Sequence, residues 1–332
     1  MTKLATYLEN KIWYMLLFTV AVIPLEQEFT SFCVGVTFIC AAIVAHVRGR
    51  GSQPCVLRPW QQVTLYVLLA ISAASIYFSM DRFLSFWNWV YVVGQYAALV
   101  FVLLRYASVV DSEKCAVADI EQNACCTRQL SIKEKLLLLW QRFGCQPRPL
   151  QLIGAFLGVS LLVSMIGLAQ KIFGVTAEGI WVDPKQFPDI KVRVFSTLVN
   201  PNILAGYLVL VIAYSTAFFN QTKAHKKWRL AFLVTGLLAA LCLLYTYSRG
   251  NWVACAVMLL AFCVLFCRKA FIPILGGGAA VLATGGTAVL HRLASIQGGY
   301  GGDTSIALRM AYLKSTKWII EEFPLGVGWY GY

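Results

Sequence analysis

The sequence predicts an all-α protein: a polytopic transmembrane bundle of about nine membrane-spanning helices, with short helices on its outer-face loops. Three observations point there. Of the 332 residues, 59% are hydrophobic and 13% charged, with a mean hydropathy of +0.69, well above the apolar share of a soluble domain. The apolar residues gather into runs of about 17–25, the length that carries an α-helix across a hydrocarbon core about 30 Å thick. Lys and Arg, finally, concentrate in alternate loops between those runs, the bias that sets membrane orientation.

The runs lie near 12–25, 29–47, 61–80, 83–104, 150–170, 199–219, 229–247, 251–267 and 270–290. The first follows only Lys3 and Lys11, and no small-residue cleavage site comes after it, so it reads as a retained helix and not a removed signal peptide. Residues 106–149 are the long internal hydrophilic stretch. They divide the chain into N-terminal helices with their loop, 1–149, and a second membrane region, 150–332. Within the loop, 131–142 has an amphipathic pattern that suits a membrane surface and a solvated linker equally. No period of 20–50 residues and no similarity between halves is visible.

One alternating set of loops, which includes the N-terminus and 106–149, holds eighteen of the 28 Lys and Arg. That set is expected in the cytoplasm. The net charge of +13 is therefore mostly an orientation signal, and nucleic acid is not an indicated partner. Of the eleven cysteines, Cys33, Cys40, Cys242, Cys255, Cys263 and Cys267 sit inside apolar runs, where a thiol acts as a small hydrophobe. Cys115, Cys125, Cys126 and Cys145 share the predicted cytoplasmic loop without a Cys-x-x-Cys pair or a nearby His, so no metal is expected.

The predicted outer side carries 171–198 and a segment from His291 onward. In the latter, Gly298-Gly-Tyr-Gly-Gly302 forms a turn, Asp303 or Thr304 caps a helix reaching about Phe323, and Pro324 and Gly326 end it. Three arginines fall on this side: Arg193, Arg249 and Arg309. Arg193 precedes Asn200-Pro201-Asn202, which caps the sixth run with Pro at its first position and leaves amides that favour an anion. Arg249 lies in Tyr247-Ser-Arg-Gly-Asn251, a connection short enough to predict a tight antiparallel pair of runs. An arginine within hydrocarbon costs ~2.5–3.5 kcal/mol on insertion scales, so one held between apolar runs implies a partner or a wet cavity. A single interfacial arginine snorkels to headgroups; three on one face suit a diphosphate, whose oxygens a guanidinium grips in pairs.

Arg193, Asn200-Pro201-Asn202 and Gly206, then Ser248-Arg249-Gly250 and Trp252, then Asp303, Arg309 and Pro324-Leu-Gly-Val-Gly328 resemble, in order and spacing, the O-antigen ligase and polymerase superfamily of bacterial membrane glycosyltransferases. The resemblance covers about 190–332. It implies metal-independent transfer of an undecaprenyl-diphosphate-linked glycan to an acceptor hydroxyl, a lipid core or another glycan, at the outer face of the bacterial cytoplasmic (inner) membrane. No cofactor is implied, and the partners beyond the membrane lipid are that donor and that acceptor. Arg193, Arg249 and Arg309 would be catalytic, stabilising the departing diphosphate; Asn200, Asn202 and Ser248 would bind substrate. The family's base is a histidine in the outer loop beyond the Gly-x-Gly turn, followed by further helices. Because Tyr332 comes four residues after Gly328, the resemblance implies a chain incomplete at its C-terminus. His46 and His225 are predicted cytoplasmic; His291, on the outer side, precedes Arg309.

Other patterns carry less. Gly326-Val-Gly-Trp-Tyr-Gly331 fits the dinucleotide fingerprint without the strand or helix it needs. Gly154 and Gly158 permit close helix packing. Asp119 and Glu121 lie in the predicted cytoplasmic loop, away from the arginines. The rival class is an inorganic-carbon or bicarbonate transporter, with Gly276-Gly-Gly278 and Gly285-Gly286 as a broken helix, but no Asp or Glu lies deep in a run, where coupled transport commonly places one. An inactive fragment of the ligase family is the remaining alternative.

Overall fold

The computed structural model describes residues 2–48, 58–106, 148–175, 192–221, 226–266 and 304–329 apart from Leu325, together with a few isolated positions between 268 and 283. Among them every regular element is a helix. In chain order these are α1 Thr2–Val22, α2 Gln27–Arg48, α3 Pro59–Ala74, α4 Arg82–Trp89, α5 Gln95–Tyr106, α6 Arg148–Phe173, α7 Pro201–Gln221, α8 Lys226–Tyr245, α9 Arg249–Leu265 and α10 Thr304–Glu322. A 3-10 turn, Ser75–Phe78, extends α3, and a π-turn, Val90–Gly94, joins α4 to α5.

Six segments are long and apolar enough to cross a membrane: Gln27–Val47, Pro59–Phe78, Arg82–Tyr106, Arg148–Phe173, Pro201–Gln221 and Lys226–Tyr245. The chain is thus a multi-pass membrane protein. The expected count of nine is not reproduced among the described residues. α1 begins at Thr2, ten residues before the run read from the sequence, and takes in Glu9, Asn10 and Lys11, which make it less apolar than the six. α9 is apolar but only 17 residues long. The ninth run, 270–290, lies almost wholly outside the described residues, as do the amphipathic 131–142 stretch, Cys115, Cys125, Cys126, Cys145, His225 and His291.

Two compact units build the chain: Met1–Ile23 with Gln27–Ala155 and Trp318–Tyr332, and Pro24–Glu26 with Phe156–Lys317. In the first, Ile12, Trp13, Leu16 and Leu17 of α1, Val34, Ala41 and Val44 of α2, and Leu99, Val102 and Tyr106 of α5 close on one another as a buried core. Trp13 Nε1 donates to Gln151 Oε1 at 2.7 Å, and Arg148 covers the Trp13 ring at 5.0 Å while its Nη1 donates to the Tyr106 carbonyl at 2.6 Å. Polar groups within a membrane protein must find such internal partners. By contrast, α3 buries no residue; Trp60, Val63, Leu68 and Ile71 are exposed, as befits a surface that meets lipid.

In the second unit α7 and α8 pack along their lengths, with Gly236 bringing α8 within 3.2 Å, at its missing Cβ, of Ser215. α9 leans mainly on α7. The tight α8–α9 pair expected from their short connection is not formed. Tyr247 takes a left-handed conformation, φ 53°, and turns the chain so that the two helices touch only sparingly. On α6 a close approach lies at Gly167 and not at Gly158. A Cβ at Gly158 would meet nothing within 4 Å, whereas one at Gly167 would lie 2.5 Å from Cys242 Sγ and 2.8 Å from Val194 Cγ1.

Candidate functional site

The candidate site begins at the ends of α7, α8 and α9. α8 stops at Tyr245, and its last carbonyls need donors from outside the helix. Residues 192–200 supply two. They are irregular up to Phe195 and turn over 196–199, with Val192, Val194 and Ser196 buried; the Val194 N–H donates to the Tyr245 carbonyl at 3.1 Å and Arg193 Nε to the Thr246 carbonyl at 2.7 Å. A cation at a helix C-terminus also complements the helix dipole.

From there the hydrogen bonds reach α7 and α9. Arg193 Nη2 donates to Asn202 Oδ1 at 3.1 Å. Asn251 Nδ2 donates both to the Asn202 carbonyl at 3.3 Å and to Ser248 Oγ at 2.9 Å. Asn200 caps α7 as its sequence predicts: Oδ1 accepts the Asn202 N–H at 2.8 Å, and Pro201 is the first helical residue. That cap occupies one of the amides expected to favour an anion. Arg249 opens α9, half-buried, directly after the buried Ser248.

Behind this cluster stands the last turn of α6. Gln170 Oε1 accepts the N–H groups of Phe195 at 3.3 Å and Ser196 at 2.7 Å, and its Nε2 donates to the Ser196 carbonyl at 3.1 Å. Ser196 Oγ donates to the Val163 carbonyl at 2.7 Å, and Thr197 Oγ1 to the Pro24 carbonyl. Among the described residues the non-glycine positions with positive φ are Ser196 at 51°, Val199 at 60° and Tyr247 at 53°. All three lie in the two segments that meet here. For Val199, β-branched, this conformation is a true outlier, and such strain collects at functional sites. Burial, with the neighbouring Tyr245 as a smaller contribution, pushes the Tyr247 phenol above the usual tyrosine range, so it stays neutral through physiological pH.

The structure therefore joins Arg193, Asn200, Asn202 and Ser248 in one hydrogen-bonded cluster and places Arg249 at its edge. Arg309 is exposed on α10 and is not among the groups tied together around Asn202. Sequence reasoning missed Gln170, Thr246 and Asn251. Asn251 alone left a local trace, three residues beyond Ser248 at the start of a helix.

The Pro324–Gly328 motif forms its own feature in the first unit. α10 ends at Glu322, and Gly326 and Gly328 take φ values of 87° and 77°, as the predicted stop requires. A Cβ on Gly328 would collide with Ser79 and Ser85. Next to it the Trp329 N–H donates to Ser85 Oγ at 2.6 Å, Trp329 Nε1 to the Ser72 carbonyl at 2.9 Å, and Asn88 Nδ2 to the Trp329 carbonyl at 3.3 Å. The motif's glycines thus let this turn lie against the end of α3 and α4.

Residues 234–332 match the family model described as O-antigen ligase. No curated protein and no solved structure matches the chain. The matched segment includes Ser248, Arg249, Asn251, Arg309 and the Gly326–Gly328 turn, while Arg193, Asn200 and Asn202 precede it. Over residues 234–332 this multi-pass membrane protein is thus similar to the O-antigen ligase family.

Proposed function

We propose that the protein transfers a glycan from a polyprenyl diphosphate, undecaprenyl diphosphate in bacteria, to an acceptor hydroxyl at the outer face of the cytoplasmic membrane, with its N-terminus in the cytoplasm. The family implies ligase- or polymerase-type transfer between a lipid-linked glycan and an acceptor in general terms. The observation that carries the finer reading is the cluster of Arg193, Asn202 and Ser248, beside Arg249, at the meeting of three helix ends.

In the reaction the bond from the anomeric carbon to the diphosphate oxygen breaks and the bond to the acceptor oxygen forms, through an oxocarbenium-like state. The electron pair of the broken bond leaves on the diphosphate. Arg193, Arg249 and Arg309 would stabilise that charge, in the manner of fixed donors aimed at a leaving group. Asn200, Asn202 and Ser248 would hold the donor against them. The acceptor proton passes to a general base. The O-antigen ligase match favours this reading over an inorganic-carbon transporter.

The test is transfer of lipid-linked glycan by full-length protein in proteoliposomes. Changing Arg193, Arg249 or Arg309 singly to Lys keeps the charge but removes the bidentate fork; each change is expected to lower kcat/KM by about 10²-fold, the scale of losing one oriented donor. Parental rates in all three folded variants would reject the diphosphate clamp.

A further inference from the structure

We propose that Lys171 is an additional anion-binding residue of this site, an ammonium held between two tyrosine faces and directed at the diphosphate of the donor. The proposal rests on the diphosphate reading above. Lys171 Nζ lies 5.2 Å from the centroid of the Tyr245 ring and 5.8 Å from that of Tyr247. Those residues flank Thr246, whose carbonyl fixes Arg193. The neighbouring Gln170 is tied to Phe195 and Ser196. One turn of α6 is thereby fastened to both segments that position Arg193.

The ordinary role of a lysine at the end of a membrane helix is to snorkel toward lipid headgroups. The surroundings of Lys171 differ from that role. Ile172 and Phe173, the next two residues, are 79% and 80% exposed, whereas Lys171 is half-buried against Tyr247, which is 3% exposed. The side chain turns inward. Aromatic faces hold an ammonium without cancelling its charge, unlike a carboxylate. Segments 156–175, 192–221 and 226–266 contain no Asp or Glu; the described carboxylate of the same unit outside them is the exposed Glu26, two residues beyond Pro24, and Glu178, Asp183 and Asp189 fall in the stretch outside the described residues. A compact ammonium with three donors complements the planar fork of Arg193 on a ligand with oxygens on two phosphorus atoms.

The experiment measures binding of inorganic pyrophosphate and of farnesyl diphosphate to the full chain in phosphatidylcholine nanodiscs. Lys171→Met is expected to weaken both by about tenfold, one charged contact's worth, and Lys171→Arg by much less. Replacing both rings, Tyr245→Leu with Tyr247→Leu, should reproduce the loss, while Tyr245→Phe should not. In the unmodified protein, pyrophosphate should slow acetylation of Lys171, read by mass spectrometry, and leave Lys226 and Lys227 unaffected. Unchanged binding by Lys171→Met, with binding lost in Arg193→Gln, would overturn the role of Lys171 and leave the diphosphate reading intact. Should Lys171→Met fail to fold, equal acetylation with and without pyrophosphate would overturn it instead. Parental binding by both Lys171→Met and Arg193→Gln would sink the two together.

Discussion

Asn202 works in three directions at once: its Oδ1 accepts from Arg193, its carbonyl from Asn251, and its N–H is given to Asn200. Asn202→Ala should cost about 1–2 kcal/mol in unfolding free energy, as one hydrogen bond to a charged group is lost. Asn202→Asp keeps the acceptor for Arg193 but adds a negative charge where the proposed diphosphate binds. It should preserve the thermal transition and lower glycan transfer by at least tenfold; equal activity in Asn202→Asp and the parent would argue against an anion at this place. Tyr247 gives a second expectation. Its pKa is raised on folding by burial first and Tyr245 second, so the associated stability is whole below the unfolded tyrosine pKa of about 10 and declines as pH rises through the higher folded value. Thermal stability in detergent should therefore fall above about pH 10, and Tyr247→Phe should flatten that limb. At this scale Arg193, Asn200, Asn202 and Ser248 were legible because each belongs to a short motif. Gln170, Thr246 and Asn251 were not, since each acts on a segment brought to it only by folding.

Helix existence and most helix ends follow from local chemistry. Asn200 and Pro201 start α7, Gly326 stops the chain after α10, and the sixth and seventh runs match α7 and α8 to within three residues. Helix partners do not follow in the same way. Connection length favoured an α8–α9 pair, but the left-handed Tyr247 sends α9 toward α7. The small-residue spacing of Gly154 and Gly158 permits close packing on α6, but Gly158 faces open space and a close contact is made at Gly167. A methyl group there would meet Cys242 and Val194 below ordinary contact distance. Gly167→Ala should accordingly destabilise by about 1–3 kcal/mol, whereas Gly158→Ala, facing open space, should be neutral or stabilising by up to about 1 kcal/mol. Adding Cys242→Ala should recover part of the Gly167→Ala loss, a coupling that the thermal midpoints of the double mutant would show. Simple additivity would mean that the two residues do not press on one another.

For the whole molecule, charge asymmetry across the loops predicts that 106–149 faces the cytoplasm. The native cysteines offer a direct measurement. Cys115, Cys125, Cys126 and Cys145 should resist a membrane-impermeant maleimide in intact cells and react once the membrane is opened, while a cysteine introduced by Asp183→Cys should react from outside. The reverse pattern would put the arginine cluster on the cytoplasmic side and remove the basis for outer-face transfer. The membrane itself, the all-helical form and the chemical type of the candidate residues were determined by the sequence alone, because hydrocarbon thickness, backbone hydrogen bonding and guanidinium chemistry act on local segments. Which helices touch, how Arg193 is pinned between the end of α8 and the start of α7, and how Lys171 comes to lie over the Tyr245 and Tyr247 rings were decided by tertiary structure. Those outcomes depend on carbonyls, ring faces and missing Cβ atoms contributed by segments far apart in the chain, and no local pattern encodes their meeting.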